Sequence, residues 1–362
     1  MTFFPWMQPA SGTARANKSN GFQETIVDQE YLEMVRRNQA GHAIVVDVAS
    51  DAFTGFTCDP IDRDVQAMYQ DMIAGPLTEA YTYCRMYGYC GLLVGYAGEP
   101  DMSLKPDPSS MIEYLQPVPK PWVEEIVYEK QGGHPSLPLT VESYKINTSS
   151  GPQTIDEGRM ILLSNPTLDP GSVEGEPSLR CVFDLLSVLK SMDWGVGQAM
   201  WRHGGGLTAF VVPESRNQQE QINAIDELVT DINSMTTLTL PAGTQMLSER
   251  PGSLDPSPYY QAVIQQISLG TRIPVSVLIG AQAGTLSASM KDRHDYYELL
   301  GDIHDDVLTG ALTDVLTRLQ VSGQLPDGEF VVEWEDMPEW VEAETNGTTQ
   351  AEPTGRDGKE YT

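Results

Sequence analysis

Between Ser178 and Gly204 lies a run of residues that leaves almost no polar face on a helix. Ser178 follows Pro177 as an N-cap, and Gly204, Gly205 and Gly206 form an abrupt stop. The spacing predicts a helix of about 25 residues, roughly 38 Å long. Leu179, Val182, Phe183, Leu185, Leu186, Leu189, Met192, Trp194, Val196, Met200 and Trp201 occupy most of its circumference. A helix apolar nearly all round has to be covered on most sides. The helix available nearby is short, residues 258–271, with Pro258 at its first position after Ser257. Its Tyr260, Val263, Ile264 and Ile267 fall at i, i+3, i+4 and i+7, one apolar stripe. Neighbouring copies of the chain would supply the remaining cover; a single globular core is the alternative. The residues read as packing between subunits are Phe183, Leu186, Leu189, Trp194, Trp201, Tyr260, Ile264 and Ile267.

The short helix stops at Arg272-Ile273-Pro274. An apolar stretch, residues 275–279, leads into Gly280-Ala281-Gln282-Ala283-Gly284-Thr285, and a long helix starts at Leu286-Ser287. Two helices joined by a small-residue loop, with no catalytic side chain at the joint, suit a mechanical part. Ile273-Pro274, Leu278-Ile279-Gly280, Gly284-Thr285-Leu286-Ser287 and the helix bearing Asp292 and Tyr296-Tyr297 resemble the tailed-virus portal proteins. The order of elements agrees with that family from about Ile61 to Trp334. The resemblance implies an α+β, portal-like fold with an α/β wing, a two-helix stem, a small α/β clip and a long channel-loop helix. It implies a twelve-fold homo-oligomeric ring at the capsid portal vertex of a virion, assembled in the host cytoplasm. Double-stranded DNA would pass through without sequence-specific binding. The partners implied are a terminase docking on the clip, the major capsid protein and neck or tail adaptor proteins. Gly280 to Ser287 would form the channel loop. A different virion protein, such as a head-to-tail adaptor, fits less well: the long insert between two stem helices speaks against it, since adaptors are usually much shorter.

The divisions that follow are residues 1–25, a flexible arm; 26–176, the first part of the wing; 177–203 and 257–272, the stem; and 204–256, the clip. Residues 273–334 would give channel loop, long helix and a return strand, and 335–362 an acidic tail or reduced crown. Within the wing, helices are expected at 27–37, 62–73 and 77–87, with a break at Gly75-Pro76. Strands are expected at 91–96, 111–115, 123–128, 141–146 and 159–163. A loop dense in Pro, Gly and acid, residues 165–177, separates this body from the stem. The clip should hold a strand at 207–212, a helix at 218–232 and a hairpin of 237–240 with 245–247. The long helix should run from 286 to 319, with Gly301 and Gly310 permitting bends, and a strand should follow at 329–334.

Charge narrows the setting. There are 51 acidic and 22 basic residues, a formal charge of −29, and only eight of the basic residues are lysine. Acid excess with scarce lysine reads as adaptation to molar salt, in the cytoplasm of an extreme halophile or in a virus of one; with the portal resemblance it implies a virus of a halophilic archaeon. At about 1 M the Debye length is roughly 3 Å, so self-repulsion is largely screened. Such a chain does not grip phosphate through a basic face, although it can surround DNA without gripping it. Residues 1–20 lack the pattern of a signal peptide, and no apolar run approaches the ~18 residues of a membrane span. Cys58, Cys84, Cys90 and Cys181 show no paired spacing and read as free, buried thiols.

No catalytic residues, metal site or cofactor are expected. No phosphate-binding GxxxxGK[ST] loop or GxGxxG turn is present. The enzymatic alternative is a halophilic metal-dependent phosphohydrolase using His294/Asp295 and His304/Asp305. On one helix, ten residues place the two histidines about 15 Å apart along the axis, too far for one metal. Asp292, Asp295, Glu298 and Asp302 have two readings: a solvated face, or a channel wall that repels phosphate at contact distance.

Overall fold

The computed structural model describes residues 26–53, 56–59, 63–99, 101–131, 134–135, 140–148, 151–168, 172–205, 207–211, 222, 245–249, 255–280, 286–327 and 331–334. The chain divides into two compact units. One is built on residues up to Leu186 together with those from Ile264 onward, the other on Ser187–Val263.

The first unit opens on α1 (Asp28–Arg37), which buries Tyr31, Met34 and Val35. Asn38 ends it and caps α2 (Gln39–His42) through its side chain. A π-turn, Ala43–Asp47, carries the helix on into α3 (Val48–Ala52). Strand β1 (Phe56–Asp59) comes next.

Helix α4 (Arg63–Tyr87) runs through Pro76 without a break. Ile73, Leu77, Ala80, Tyr81 and Cys84 are buried on either side of the proline, and their spacing is one helical stripe. A proline inside a helix costs about 3 kcal/mol. Burial of five side chains in register outweighs that, so the expected break at Gly75-Pro76 does not form.

Two antiparallel sheets follow. The first has the order β3-β2-β9, from β2 (Tyr89–Tyr96), β3 (Ile112–Pro119) and β9 (Met160–Ser164). Every residue of the central strand β2 is buried. Pro117 and Pro119 pair with Leu92 and Cys90. Two prolines are tolerated because β3 is an edge, where alternate N–H groups need no partner. The second sheet, β4-β7-β8, comes from β4 (Val123–Tyr128), β7 (Val141–Thr148) and β8 (Gly151–Asp156). Between β4 and β7, β5 (Lys130–Gln131) pairs with β6 (His134–Pro135). Leu93, Val118 and Met160 of the first sheet meet Tyr144, Ile146 and Ile155 of the second in one apolar cluster. Helix α4 packs on β2 and β3.

After β9 the chain enters a 3₁₀ turn, Arg180–Val182, and then α5 (Phe183–Gly205). Ser178 is therefore not the helix cap: its N–H donates to the Arg85 carbonyl. In the second unit β10 (Leu207–Val211) pairs antiparallel with β11 (Gln245–Glu249). The expected strand 237–240 and, apart from Ile222, the expected helix 218–232 lie outside the described residues. Helix α6 (Ser257–Thr271) starts one residue before the expected N-terminus, with the Ser257 N–H bonded to the Asp255 carboxylate.

Back in the first unit come α7 (Val275–Ile279), α8 (Leu286–Ile303), a π-turn at His304–Leu308, α9 (Thr309–Val321) and β12 (Val331–Trp334). The helix from Leu286 to Val321 is thus continuous. Its irregularity lies between Gly301 and Gly310, not at either glycine. Strand β12 pairs with β1, and Phe53, Phe56 and Trp334 form an edge-on aromatic cluster there. Cys84 and Cys90 are free and buried as expected. Cys181 is free but exposed, and corrects that expectation. The Cys58 side chain lies outside the described residues.

Candidate functional site

The joint between α6 and α8 is built from backbone geometry first. Helix α6 ends at Thr271, and the next residue, Arg272, is a non-glycine in the left-handed region, with φ of 61°. Pro274 keeps its predecessor out of the helical region, so the chain turns sharply here. The Thr271 hydroxyl donates to the Ile267 carbonyl (2.9 Å) and accepts from the Ile273 N–H (3.4 Å). The Pro274 carbonyl accepts from Val277 and Leu278 at 3.0 and 3.1 Å, which converts the expected apolar lead-in into the short helix α7. Gly280 stops it with φ of 62°. Ala281 to Thr285 lie outside the described residues, as do the side chains of Leu286 and Ser287. Of the expected channel loop, only its Gly280 base and its helical exit are described.

Two bonds tie α7 and its base to α8. The Ser276 hydroxyl donates to Asp292 (2.6 Å), and the Arg272 guanidinium pairs with Asp302 (2.7 Å). Both partners of that ion pair are more than half exposed, so it contributes at most about 1 kcal/mol. The four acidic residues therefore divide. Asp292 and Asp302 face the preceding segment, whereas Asp295 and Glu298 are exposed. Further along, the Tyr296 hydroxyl donates to Asp51 (2.8 Å). Burial and the adjacent Asp51 carboxylate both push the phenol pKa up.

His304 sits at the start of the π-turn. Its Nε2–H donates to the Ala52 carbonyl. Its ring stacks on Trp334 at 4.2 Å and 8°, and the Trp334 indole donates to Thr309 (2.9 Å). His294, by contrast, is exposed. His304 is committed to a carbonyl and an indole, and among the described residues no three His, Cys, Asp or Glu side chains converge to hold a metal.

The residues expected to pack between subunits also divide. Phe183 meets Tyr31 edge-on at 5.5 Å. Leu186 and Ile267 are fully buried and Leu189 nearly so. These four are covered within the chain, because the start of α5 and the end of α6 belong to its own core; they do not present a free packing surface. Tyr260 and Ile264 are half-buried, and the Tyr260 hydroxyl donates to Asp193 (2.6 Å). Trp194 is 63% exposed and Met200 70%. The Trp201 side chain lies outside the described residues. Among described residues of α5 beyond Leu189, no side chain is buried.

The phage portal protein family matches residues 29–346 of this sequence. This chain belongs to the phage portal protein family. Its fold is similar to the neck of a native gene transfer agent particle computed with C12 symmetry: TM-score 0.57, 15% identity, 95% of this chain and 96% of that one. It is also similar to a chain in the virion of a native gene transfer agent particle, with TM-score 0.54, 16% identity and 93% of each chain covered. A third likeness is to the neck of an empty particle of that kind computed with C6 symmetry, at TM-score 0.54 and 13% identity, covering 94% and 95%. At these identities the likeness is one of fold. No curated protein matches the sequence.

Portal proteins are structural, not enzymatic. Burial holds His304 below the ordinary imidazole pKa, opposed by the Ala52 hydrogen bond. The neutral ring is therefore favoured in the folded state. Stability from this group is present above the unfolded pKa of about 6.5 and is lost as pH falls through the folded value. His304→Phe keeps an aromatic ring against Trp334 and removes the titration. Its stability, followed by urea unfolding, should fall less steeply than wild type below about pH 6.5; equal slopes would show that the ring does not titrate with folding.

Among the described residues no helix is long and apolar enough to cross a membrane. The positioning roles of Ser276, Arg272 and Trp334 were not read from the sequence. The only local hint was Arg272 before Ile-Pro, which marks a helix end without naming the carboxylate 30 residues away.

Proposed function

We infer that this chain is the subunit of a portal ring. The ring occupies one vertex of a tailed-virus-like capsid, and double-stranded DNA passes through it during packaging and ejection. The observation that carries this reading is the second half of α5, a helix whose tryptophan and methionine stay exposed in a single copy. Identical neighbours around a ring would cover them. The similarity to particle necks computed with C12 and C6 symmetry supports a cyclic assembly, and twelve copies is the stoichiometry proposed.

In this reading α5 and α6 form the stem, residues 204–256 the clip on which the terminase and later the neck adaptors dock, and residues 280–287 the channel loop. Asp295 and Glu298 supply contact repulsion toward phosphate. The α7–α8 ties through Asp292 and Asp302 hold the base of the loop. The acid excess points to a virus of a halophile, in which the major capsid protein and adaptors face the same salt.

The test is the mass of the native particle in molar salt. A particle about twelve times heavier than the 39.8 kDa chain supports the ring; a monomer at every concentration rejects it. Dialysis to about 0.1 M salt lengthens the Debye length to roughly 10 Å. With −29 per subunit, the ring should then dissociate. A ring equally stable in both conditions would remove the halophile part and leave the portal part standing.

A further inference from the structure

Two recesses of the first unit share the 3₁₀ turn Lys120–Trp122, which joins β3 to β4. The smaller, about 310 Å³, is acidic. Asp28 of α1, Glu124 and Glu125 of β4, and Glu174 line it, against the single base Lys120. Lys120 pairs with Glu174 at 3.0 Å, and Lys145 pairs with Glu125 at 2.5 Å. Asp28 and Glu124 enter no ion pair among the described residues. Negative charge therefore exceeds positive at this recess.

The larger recess, about 500 Å³, has an apolar floor. Leu93, Val118 and Ile146 line it, each at most 5% exposed and each part of the cluster between the two sheets. Trp122 also lines it and is 47% exposed. Gln116, Asn147 and Gln153 complete the rim. All three are exposed, and their side chains make no hydrogen bond to another described residue. Core side chains open to solvent beneath an indole and three amides suit an aromatic side chain on a peptide. The floor buries the ring, and the amides take the peptide's N–H and C=O groups.

The sequence supplies such a peptide just before α1. Phe3-Phe4-Pro5-Trp6-Met7 is aromatic and apolar. The chain has 51 acidic residues, yet residues 1–23 contain none and include two bases, Arg15 and Lys18. Charge of this sign fits the acidic recess, on whose wall Asp28 stands.

We propose that residues 3–7 occupy the apolar recess of their own chain, with Trp6 as the anchor, and that Arg15 and Lys18 cross the acidic recess beside Asp28 and Glu124. The order along the chain matches the order in space. The bases lie nearer α1, which borders the acidic recess, and the aromatic run lies beyond them. The 19 steps from Met7 to Ile26 reach at most about 65 Å, and the two recesses meet at one turn. The own chain is the occupant because Asp28 places the start of α1 at that turn. This contact lies within one subunit, so it stands or falls independently of the ring.

The test uses the full chain in molar salt. Cys58→Ser/Cys181→Ser leaves Cys84 and Cys90, which are buried. Met7→Cys and Gln153→Cys are added, and non-reducing peptide mapping after air oxidation reads the disulfide between the two introduced thiols. The link should form within single chains. Phe3→Ser/Phe4→Ser/Trp6→Ser should keep the circular dichroism of the parent and lower the yield at least about ten-fold. At about 0.1 M salt, where the Debye length is roughly 10 Å, Arg15→Glu/Lys18→Glu should lower it at least about three-fold. An undiminished yield in the aromatic variant overturns the proposal, and so does one in the charge variant. A link found only between chains also overturns it, by assigning the recess to a neighbour's segment. So does a yield no higher than that of Met7→Cys with Val321→Cys, an exposed position in neither recess, which would mark the link as random encounter.

Discussion

Gly88→Ala is expected to destabilise the fold by about 3–5 kcal/mol, in the range reserved for severe substitutions. Gly88 ends α4 with φ of 95°, and its N–H donates to the Cys84 carbonyl at 2.8 Å. A left-handed backbone costs an L side chain roughly 1–2 kcal/mol. The larger effect is space. A methyl group there would lie 2.0 Å from the Gly175 carbonyl oxygen and 2.8 Å from its carbon. Both are backbone atoms and cannot rotate away. To relieve the overlap, residues 172–177 would have to lift from the end of α4. That movement would break the bond from the Asn165 side-chain amide to the Glu176 carbonyl, at 2.9 Å. Gly280→Ala is the control, since its φ is 62° and, among the described residues, nothing lies within 4 Å of the added carbon. It should cost only about 1–2 kcal/mol. Urea midpoints in molar salt measure both. Equal losses would show that the loop yields freely and that the contact adds nothing beyond backbone strain.

That contact also shows why part of the fold was not legible in the sequence. Residues 165–177 read as a separator because Pro, Gly and acid break periodicity. They are instead pinned to α4 by Asn165, whose partner Cys84 is 81 positions away. Pro76 read as a break because the local cost is visible in sequence and the buried stripe that outweighs it becomes visible only across the break. Strand β8 was missed because its pattern is nearly all polar, with Ile155 its one buried residue. The π-turn at 304–308 was missed because one inserted residue barely disturbs a 3.6 period; the other lies in a helical run, residues 39–52, that was not expected at all. Periodicity did succeed on α6: Tyr260, Val263, Ile264 and Ile267 are the less exposed positions, while Tyr259, Gln261 and Gln265 are exposed. At the candidate site, the turn at Arg272–Pro274 and the start of α8 were readable from chain-local rules. The bonds that brace them join residues 16 and 30 apart, and His304 finds its carbonyl 252 positions away. A histidine beside an aspartate looks like a ligand until that distant carbonyl is in place.

Trp194→Glu/Met200→Glu should leave the subunit folded and abolish the ring. In a single copy these side chains are 63% and 70% exposed, so replacing them removes little intrachain burial. Surface changes of this kind usually stay within about 0.5 kcal/mol of wild type. Covering a side chain of this size in an interface contributes about 1.5–3 kcal/mol, and every subunit of a closed ring loses that contribution at once. The two new carboxylates also add to a subunit charge that already stands at −29. Two introduced charges at an apolar contact are far more costly than the lost contact alone, because they must be desolvated without partners. Leu186→Asp provides the opposite case. Leu186 is fully buried, and its carbonyl accepts from Asn38 at 3.2 Å; a carboxylate there should unfold the subunit itself, with a loss of several kcal/mol. The pair separates two explanations of the apolar run between residues 178 and 203. If neighbours cover its second half, the double variant melts like wild type but sediments as a monomer in molar salt. If one chain needs all of that surface for its own core, the double variant unfolds as Leu186→Asp does. Rings of undiminished stability in the double variant would mean that the exposed half of α5 faces solvent in the assembly, and the stem assignment would be lost.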